Sequence, residues 1–184
     1  IYPDRFTNKT NGITQRRWLL SSNPKLAALI TSAIGDGWIT DYQQIAKLTP
    51  FAEDSAFLAD FGKIKEENKK RAAAFLKTDS SLIIDPDSLF DVQVKRIHEY
   101  KRQLLNVLHI LYLYNDIKSG GEETRDMGKV TFLFGGKAAP GYVNAKLIIK
   151  LINNIAHVIN ADCDAKEKIA VHFMPNYRVS MAEV

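Results

Sequence analysis

Cysteine is nearly absent: Cys163 is the only one in 184 residues. No internal disulfide can form, and a cysteine-based structural zinc site lacks ligands. A lone thiol suits a reducing compartment, so a cytoplasmic location is expected. Ile1-Tyr2-Pro3-Asp4-Arg5-Phe6 has neither the basic start nor the apolar stretch of a secretory leader. No apolar run is long enough to cross a bilayer, and no membrane partner is expected. Internal repeats and low-complexity tracts are missing. The histidines, His98, His109, His157 and His172, show no metal-ligand spacing, so no metal site is expected. No GxSxG element supports a nucleophilic hydrolase, and no carboxylate pair of the glycosidase kind stands out. Charge of one sign is lacking too. The net charge is +4, and runs such as Lys63-Ile64-Lys65-Glu66-Glu67-Asn68-Lys69-Lys70-Arg71 mix both signs. That is a solvated helix face rather than a nucleic-acid stripe, so no nucleic-acid partner is expected.

What is present changes character near residue 89. Residues 1–88 read as mainly helical. Asn23-Pro24 opens a helix that Gly35 ends. A short helix fits 41–48, and a long one fits 54–77, followed by a turn-rich joint. From 89 onward, strands at 90–94, 129–134 and 169–173 alternate with helices at 100–118 and 141–160. In the second of these helices Ile148, Leu151, Ile152, Ile155 and Ile159 form one apolar face. The expected fold class is α/β: a partial Rossmann-like parallel sheet with right-handed crossovers behind a helical N-terminal segment. The chain begins at Ile1 and stops just past Ser180-Met181-Ala182-Glu183, a capping-box spacing that opens a helix. An excerpt from a longer polypeptide is therefore expected, with 1–88 entering one domain and 89–184 an incomplete βαβ portion of it.

Ligands of such sheets bind beyond the carboxyl ends of the strands, which singles out three loops. The first holds Lys95-Arg96-Ile97-His98-Glu99-Tyr100-Lys101-Arg102-Gln103, with four Lys and Arg side chains in eight residues. Lysine offers a point charge to a phosphate and arginine a two-pronged grip. The alternative is a solvated basic surface. His98 differs from the other histidines by sitting in this cluster. The second loop, Gly135-Gly136-Lys137-Ala138-Ala139-Pro140-Gly141-Tyr142, permits close backbone approach but is neither a Walker A motif nor GxGxxG. The third is Pro175-Asn176-Tyr177-Arg178-Val179-Ser180, where Arg178 could meet the same anion or merely cap its own loop.

Four segments resemble, in order, the C-terminal catalytic domain of α-glucan (glycogen, starch or maltodextrin) phosphorylases. They are Thr10-Asn11-Gly12-Ile13-Thr14-Gln15-Arg16-Arg17-Trp18-Leu19, the run from Phe90 to Leu104, Gly135 to Tyr142, and Asn176-Tyr177-Arg178-Val179-Ser180. The resemblance covers essentially the whole chain and implies a fold of the GT-B type. It also implies phosphorolysis of α-1,4-glucan ends by inorganic phosphate to glucose-1-phosphate, in a homodimer. Pyridoxal phosphate (PLP) is the implied cofactor, acting through its phosphate. By the same resemblance Lys95, Tyr177 and Arg178 hold the PLP phosphate, and Trp18 lines the cofactor pocket. Arg96 and Lys101 grip the substrate phosphate, Asn11 binds a sugar hydroxyl, and Tyr142 lines the cleft entrance. His98 is grouped with Asn11 and Tyr142 on the substrate side. Gln15 stands where the family usually has proline, so a looser local turn is expected. The family's Schiff-base lysine and its N-terminal domain lie outside this sequence, and the isolated chain is expected to be inactive. The rival readings are a nucleotide-sugar glycosyltransferase of the same fold and a non-catalytic polyanion-binding module.

Overall fold

A computed structural model describes residues 5–7 and 14–184. It divides into two compact units, one up to Lys65 and one from Glu66 to Ala182.

The first unit is helical. A π-helical turn, Arg16–Ser21, leads into α1, Pro24–Ile34. Asn23 caps α1 through its side-chain oxygen, which accepts from the Leu26 amide at 3.4 Å, and proline fills the first helical position. Gly35, at φ 79°, ends it. Ala27, Ile30 and the fully buried Trp38 form the core of this unit, and the Trp38 indole donates to Thr31 Oγ1 at 3.1 Å. The expected helix at 41–48 is instead a run of 3₁₀ turns, Tyr42–Glu53. Pro50 lies within it and has no N–H, so an α-helical ladder cannot continue through that point. Gln15 is not loose either. Its φ of −62° is what proline would impose, and its buried side-chain amide donates to the Ile39 carbonyl at 3.0 Å.

Helix α2, Ser55–Ser80, crosses the unit boundary and brings the chain to the sheet. The sheet is parallel, in the order β1 (Leu89–Val94), β2 (Val130–Gly135), β3 (Ile169–Met174). Helices α3 (Gln103–Ser119) and α4 (Val143–Ala161) make the two crossovers. Both cover the face that presents Val130, Phe132 and Phe134 of β2 with Ile169 and Val171 of β3. On α4 the buried stripe is Ala145, Ile148, Ile152, Ile155 and Ile159, matching the helical period. The opposite face carries Leu133 and Met174 against Leu76 of α2, Ile84 and Met181. Strand β2 is therefore buried along all six residues, as a central parallel strand should be.

Two local expectations fail. The helix predicted from residue 100 begins at Gln103. Glu99–Lys101 forms a separate 3₁₀ turn, and Arg102, at φ 62°, breaks the two apart in the left-handed region. The final helix, α5 (Val179–Ala182), starts ahead of Ser180. Its first turn closes on the Arg178 carbonyl, which accepts from Met181 and Ala182. Ser180 therefore lies inside the helix instead of capping it.

Candidate functional site

The register puts Val94 opposite Gly135 and Gly135 opposite Met174. All three strands thus end at one level, and their outgoing loops leave side by side, about 5 Å apart from strand to strand. This brings Lys95, Arg96, His98, Lys101, Tyr142, Tyr177 and Arg178 onto one end of one sheet. Trp18 lies in the first unit, on the π-helical turn, where it is 40% exposed with the Arg17 guanidinium 5.6 Å from its ring. Asn11 falls outside the described residues.

The first loop is held by its backbone and by neutral side chains. Lys95 donates its amide to Gly135 at 2.9 Å, and Ile97 donates to Lys137 at 3.2 Å. The second loop comes so close that a Cβ on Gly136 would lie 2.1 Å from the Lys95 carbonyl oxygen, so only glycine fits there. The buried Gln103 side chain donates to the Arg96 carbonyl at 3.2 Å and accepts from the His98 amide at 3.4 Å. Gln93 donates to the Lys101 carbonyl at 3.3 Å and is itself braced by Asn106 at 3.1 Å.

A second set of contacts ties the first two loops together. The Tyr142 hydroxyl donates to the Glu99 carboxylate at 2.5 Å and accepts from the Glu99 amide at 3.2 Å. Asn144 adds a bond to the other carboxylate oxygen at 3.1 Å. The Tyr142 hydroxyl, then Asn144, hold the Glu99 carboxyl below its usual range, and the adjacent carboxylate pushes the Tyr142 phenol up. The His98 ring sits 4.3 Å from Tyr100 and 4.9 Å from Tyr142, centroid to centroid. Lys101 places its ammonium 5.6 Å from the Tyr100 ring.

The charges are unbalanced at this end of the sheet. Among the described residues, no carboxylate pairs with Lys95, Arg96 or Lys101. Lys95 and Arg96 are exposed and Lys101 is half-buried. Arg178 behaves differently. Its guanidinium donates to Asp79 at the end of α2 at 2.5 Å. That bond lowers the Asp79 carboxyl and raises the guanidinium. Guanidinium has five N–H donors, so the contact with Asp79 leaves others for a second anion. Asn176, in the left-handed region at φ 51°, turns the third loop so that the Tyr177 ring stands beside Gly135, 3.2 Å from where a Cβ would be.

An apolar cavity of about 200 Å³ opens on the face opposite α3 and α4, lined by Phe75, Phe90, Val94, Leu133, Met174 and Tyr177 among others. Burial raises the Tyr177 phenol. Lys95 and Arg178 directly follow the lining residues Val94 and Tyr177 in sequence. An apolar wall that carries the Tyr177 phenol and reaches Val94 and Met174, where the cationic loops leave the sheet, suits a flat aromatic group bearing an anion, a description that PLP meets. Among the described residues, no cluster of three or more His, Cys, Asp or Glu could hold a metal ion, and no helix is long and apolar enough to cross a membrane.

Sequence reasoning missed Glu99, Gln93, Gln103, Asn106 and Asp79. Glu99 carried a signal, being the one anion within the cation cluster. Its partners Tyr142 and Asn144 lie more than forty positions away.

Comparison with known proteins matches the family model described as carbohydrate phosphorylase over residues 1–184. The chain is 50% identical over 183 residues to glycogen phosphorylase of Synechocystis sp., covering 100% of this chain and 21% of that protein. It is 54% identical to the muscle form of glycogen phosphorylase from Rattus norvegicus, covering 100% of this chain and 22% of that protein. Against the liver form from Homo sapiens it is 52% identical, covering 100% and 21%. The chain thus spans about a fifth of the length of the curated relatives it matches. A partial Rossmann-like sheet, three loops abreast at its carboxyl end and a family match along the entire chain agree: this chain belongs to the carbohydrate phosphorylase family.

Proposed function

We propose that the chain is the phosphate-handling portion of an α-glucan phosphorylase, which transfers glucosyl units from α-1,4-glucan ends to inorganic phosphate and yields glucose-1-phosphate. The observation that carries this reading is that, among the described residues, no carboxylate pairs with Lys95, Arg96 or Lys101 where three loops leave the sheet together. Such a concentration of positive charge calls for an anionic ligand.

Arg96 and Lys101 bind and orient the substrate phosphate. Lys95, Tyr177 and Arg178 hold the phosphate of PLP, with Arg178 fixed in direction by Asp79. When bound, PLP supplies a second phosphate that exchanges a proton with the first, which is general acid–base catalysis. Two phosphates in proximity repel each other, and the convergent cations offset that repulsion. His98 and Tyr142, stacked edge to face and fastened through Glu99, line the sugar side. The family resemblance, rather than any contact, assigns Trp18 to the cofactor pocket and Asn11 to a sugar hydroxyl. In this reading 1–88 and 89–184 belong to one catalytic domain of a cytoplasmic homodimer, and the chain alone is inactive because the lysine that anchors PLP lies beyond it.

The test uses the full-length protein that carries this chain, as wild type and as Arg96→Ala, with maltodextrin and inorganic phosphate. Glucose-1-phosphate and bound PLP are scored. The expected result is product from the wild type, and retained PLP with most activity lost in Arg96→Ala. A wild type that binds no PLP and forms no product overturns the reading. Release of a nucleoside diphosphate from a nucleotide sugar, or salt-sensitive binding of heparin without glucan chemistry, would redirect it to another class.

A further inference from the structure

We infer that Gln103 and Gln93 are positioning residues that fix the two phosphate-gripping cations, Gln103 at the Arg96 end of the loop and Gln93 at the Lys101 end. The inference rests on the phosphate reading of Arg96 and Lys101.

Gln103 is the anomaly that points to it. It occupies the buried stripe of α3 with Val107 and Ile110, and it is 0% exposed. An apolar side chain would fill that place without desolvating an amide. Both ends of the Gln103 amide are spent on the same loop, on the Arg96 carbonyl and the His98 amide. The residue between them, Ile97, is buried at 2% and bonded through its own amide to Lys137. Three hydrogen bonds thus pin three consecutive residues.

At the other end of the loop the Lys101 carbonyl accepts from Gln93, whose oxygen is held by Asn106. Between the two pins the 3₁₀ turn closes on itself, Lys101 donating to His98 and Arg102 to Glu99, each at 3.0 Å. Arg102 is driven into the left-handed region at φ 62°, a conformation that neighbouring contacts must enforce in a residue other than glycine. Among the described residues, no carboxylate anchors the head groups of Arg96 and Lys101. Their placement therefore depends on the backbone that carries them, and the two amides are the side chains that pin it next to Arg96 and at Lys101. A phosphate gripped by residues five positions apart is sensitive to both pins, because misplacement of about 1 Å can cost about a hundredfold in rate.

The experiment measures the KM for inorganic phosphate, the KM for maltodextrin, bound PLP and thermal midpoint in the full-length protein. The variants are Gln103→Met, Gln93→Met, Arg96→Ala and, as a packing control, Ile152→Val. Methionine keeps volume and removes the hydrogen bonds. The expected result is a phosphate KM raised about tenfold or more in both glutamine variants, with PLP content and maltodextrin KM unchanged. Ile152→Val lowers the midpoint and leaves phosphate KM alone. If Gln103→Met does not fold, the half-buried Gln93→Met decides the matter by the same readout. If the glutamine variants lose stability but keep the wild-type phosphate KM while Arg96→Ala raises it, the amides are packing alone and the inference falls. If Arg96→Ala also leaves phosphate KM unchanged, the phosphate reading itself fails, and the inference with it.

Discussion

Gly136→Ala is the smallest change that should disable this site. A Cβ at position 136 would stand 2.1 Å from the Lys95 carbonyl oxygen and 3.1 Å from Ile97 Cδ1. An ordinary contact begins near 3.4 Å, so the carbonyl must retreat by more than an ångström. It cannot do so freely, because the Lys95 amide is bonded to Gly135 and the Ile97 amide to Lys137. Overpacking of this kind costs about 1–3 kcal/mol in stability. Because the retreat displaces Lys95 and Arg96 together, activity should fall further than stability, by about a hundredfold for a displacement near 1 Å. The assay is phosphorolysis of maltodextrin by the full-length protein, with PLP content and thermal midpoint measured alongside. Gly141→Ala is the matched control. A Cβ there meets nothing within 4 Å, so activity should stay within about twofold of wild type. If Gly136→Ala is as active and as stable as Gly141→Ala, the close approach of the two loops does not fix the site.

Other outcomes follow from the same geometry. Ile152→Ala empties a fully buried position on α4 and should lower stability by about 2–5 kcal/mol in denaturant unfolding. Thr131→Val removes the buried 2.6 Å bond to Ser88, while Ser88 keeps its bond to the Asp85 carbonyl. A loss of about 1 kcal/mol is expected by the same measurement. The Asp162 carboxyl, held down to about 2 by the Ala165 amide first and Lys118 second, has a folded value below its ordinary 3.8. Its contribution is thus present above 3.8 and lost as pH falls toward about 2. Asp162→Asn should flatten the midpoint-against-pH curve in that acid window. Asp79→Ala releases Arg178 and should weaken PLP retention while leaving the phosphate KM unchanged, as titration of PLP into the apo-protein would show.

The strands were legible to within a residue because each is a short β-branched or aromatic run between polar turns, and three such runs alternating with amphipathic helices leave few topologies. The α4 stripe was legible for the same reason. Failures arose where distant groups override local preference. Nothing near Arg102 in sequence announces a left-handed residue; it stands where a 3₁₀ turn meets the start of α3. Ser180 with Glu183 has the spacing of a cap, but the first turn closes on Arg178. Gln103 looks like an exposed polar position until the loop folds over it. The cationic loop was visible as composition, and that no carboxylate among the described residues pairs with Lys95, Arg96 or Lys101 emerged only in three dimensions. The pairing of Arg178 with Asp79 joins positions 99 apart and left no trace in sequence.

The bonds that Gln93, Gln103 and Asn106 make are all between neutral groups. Added salt shrinks the screening length from about 10 Å at 0.1 M to about 3 Å at 1 M, which weakens the pull of the exposed cations on an anion in solution. It does nothing comparable to an amide bonded to a carbonyl. Nor does any amide gain or lose a proton across the range in which enzymes work. Ionic strength can therefore dim the attraction of Arg96 and Lys101 for an anion while the amide bonds that hold their loop persist.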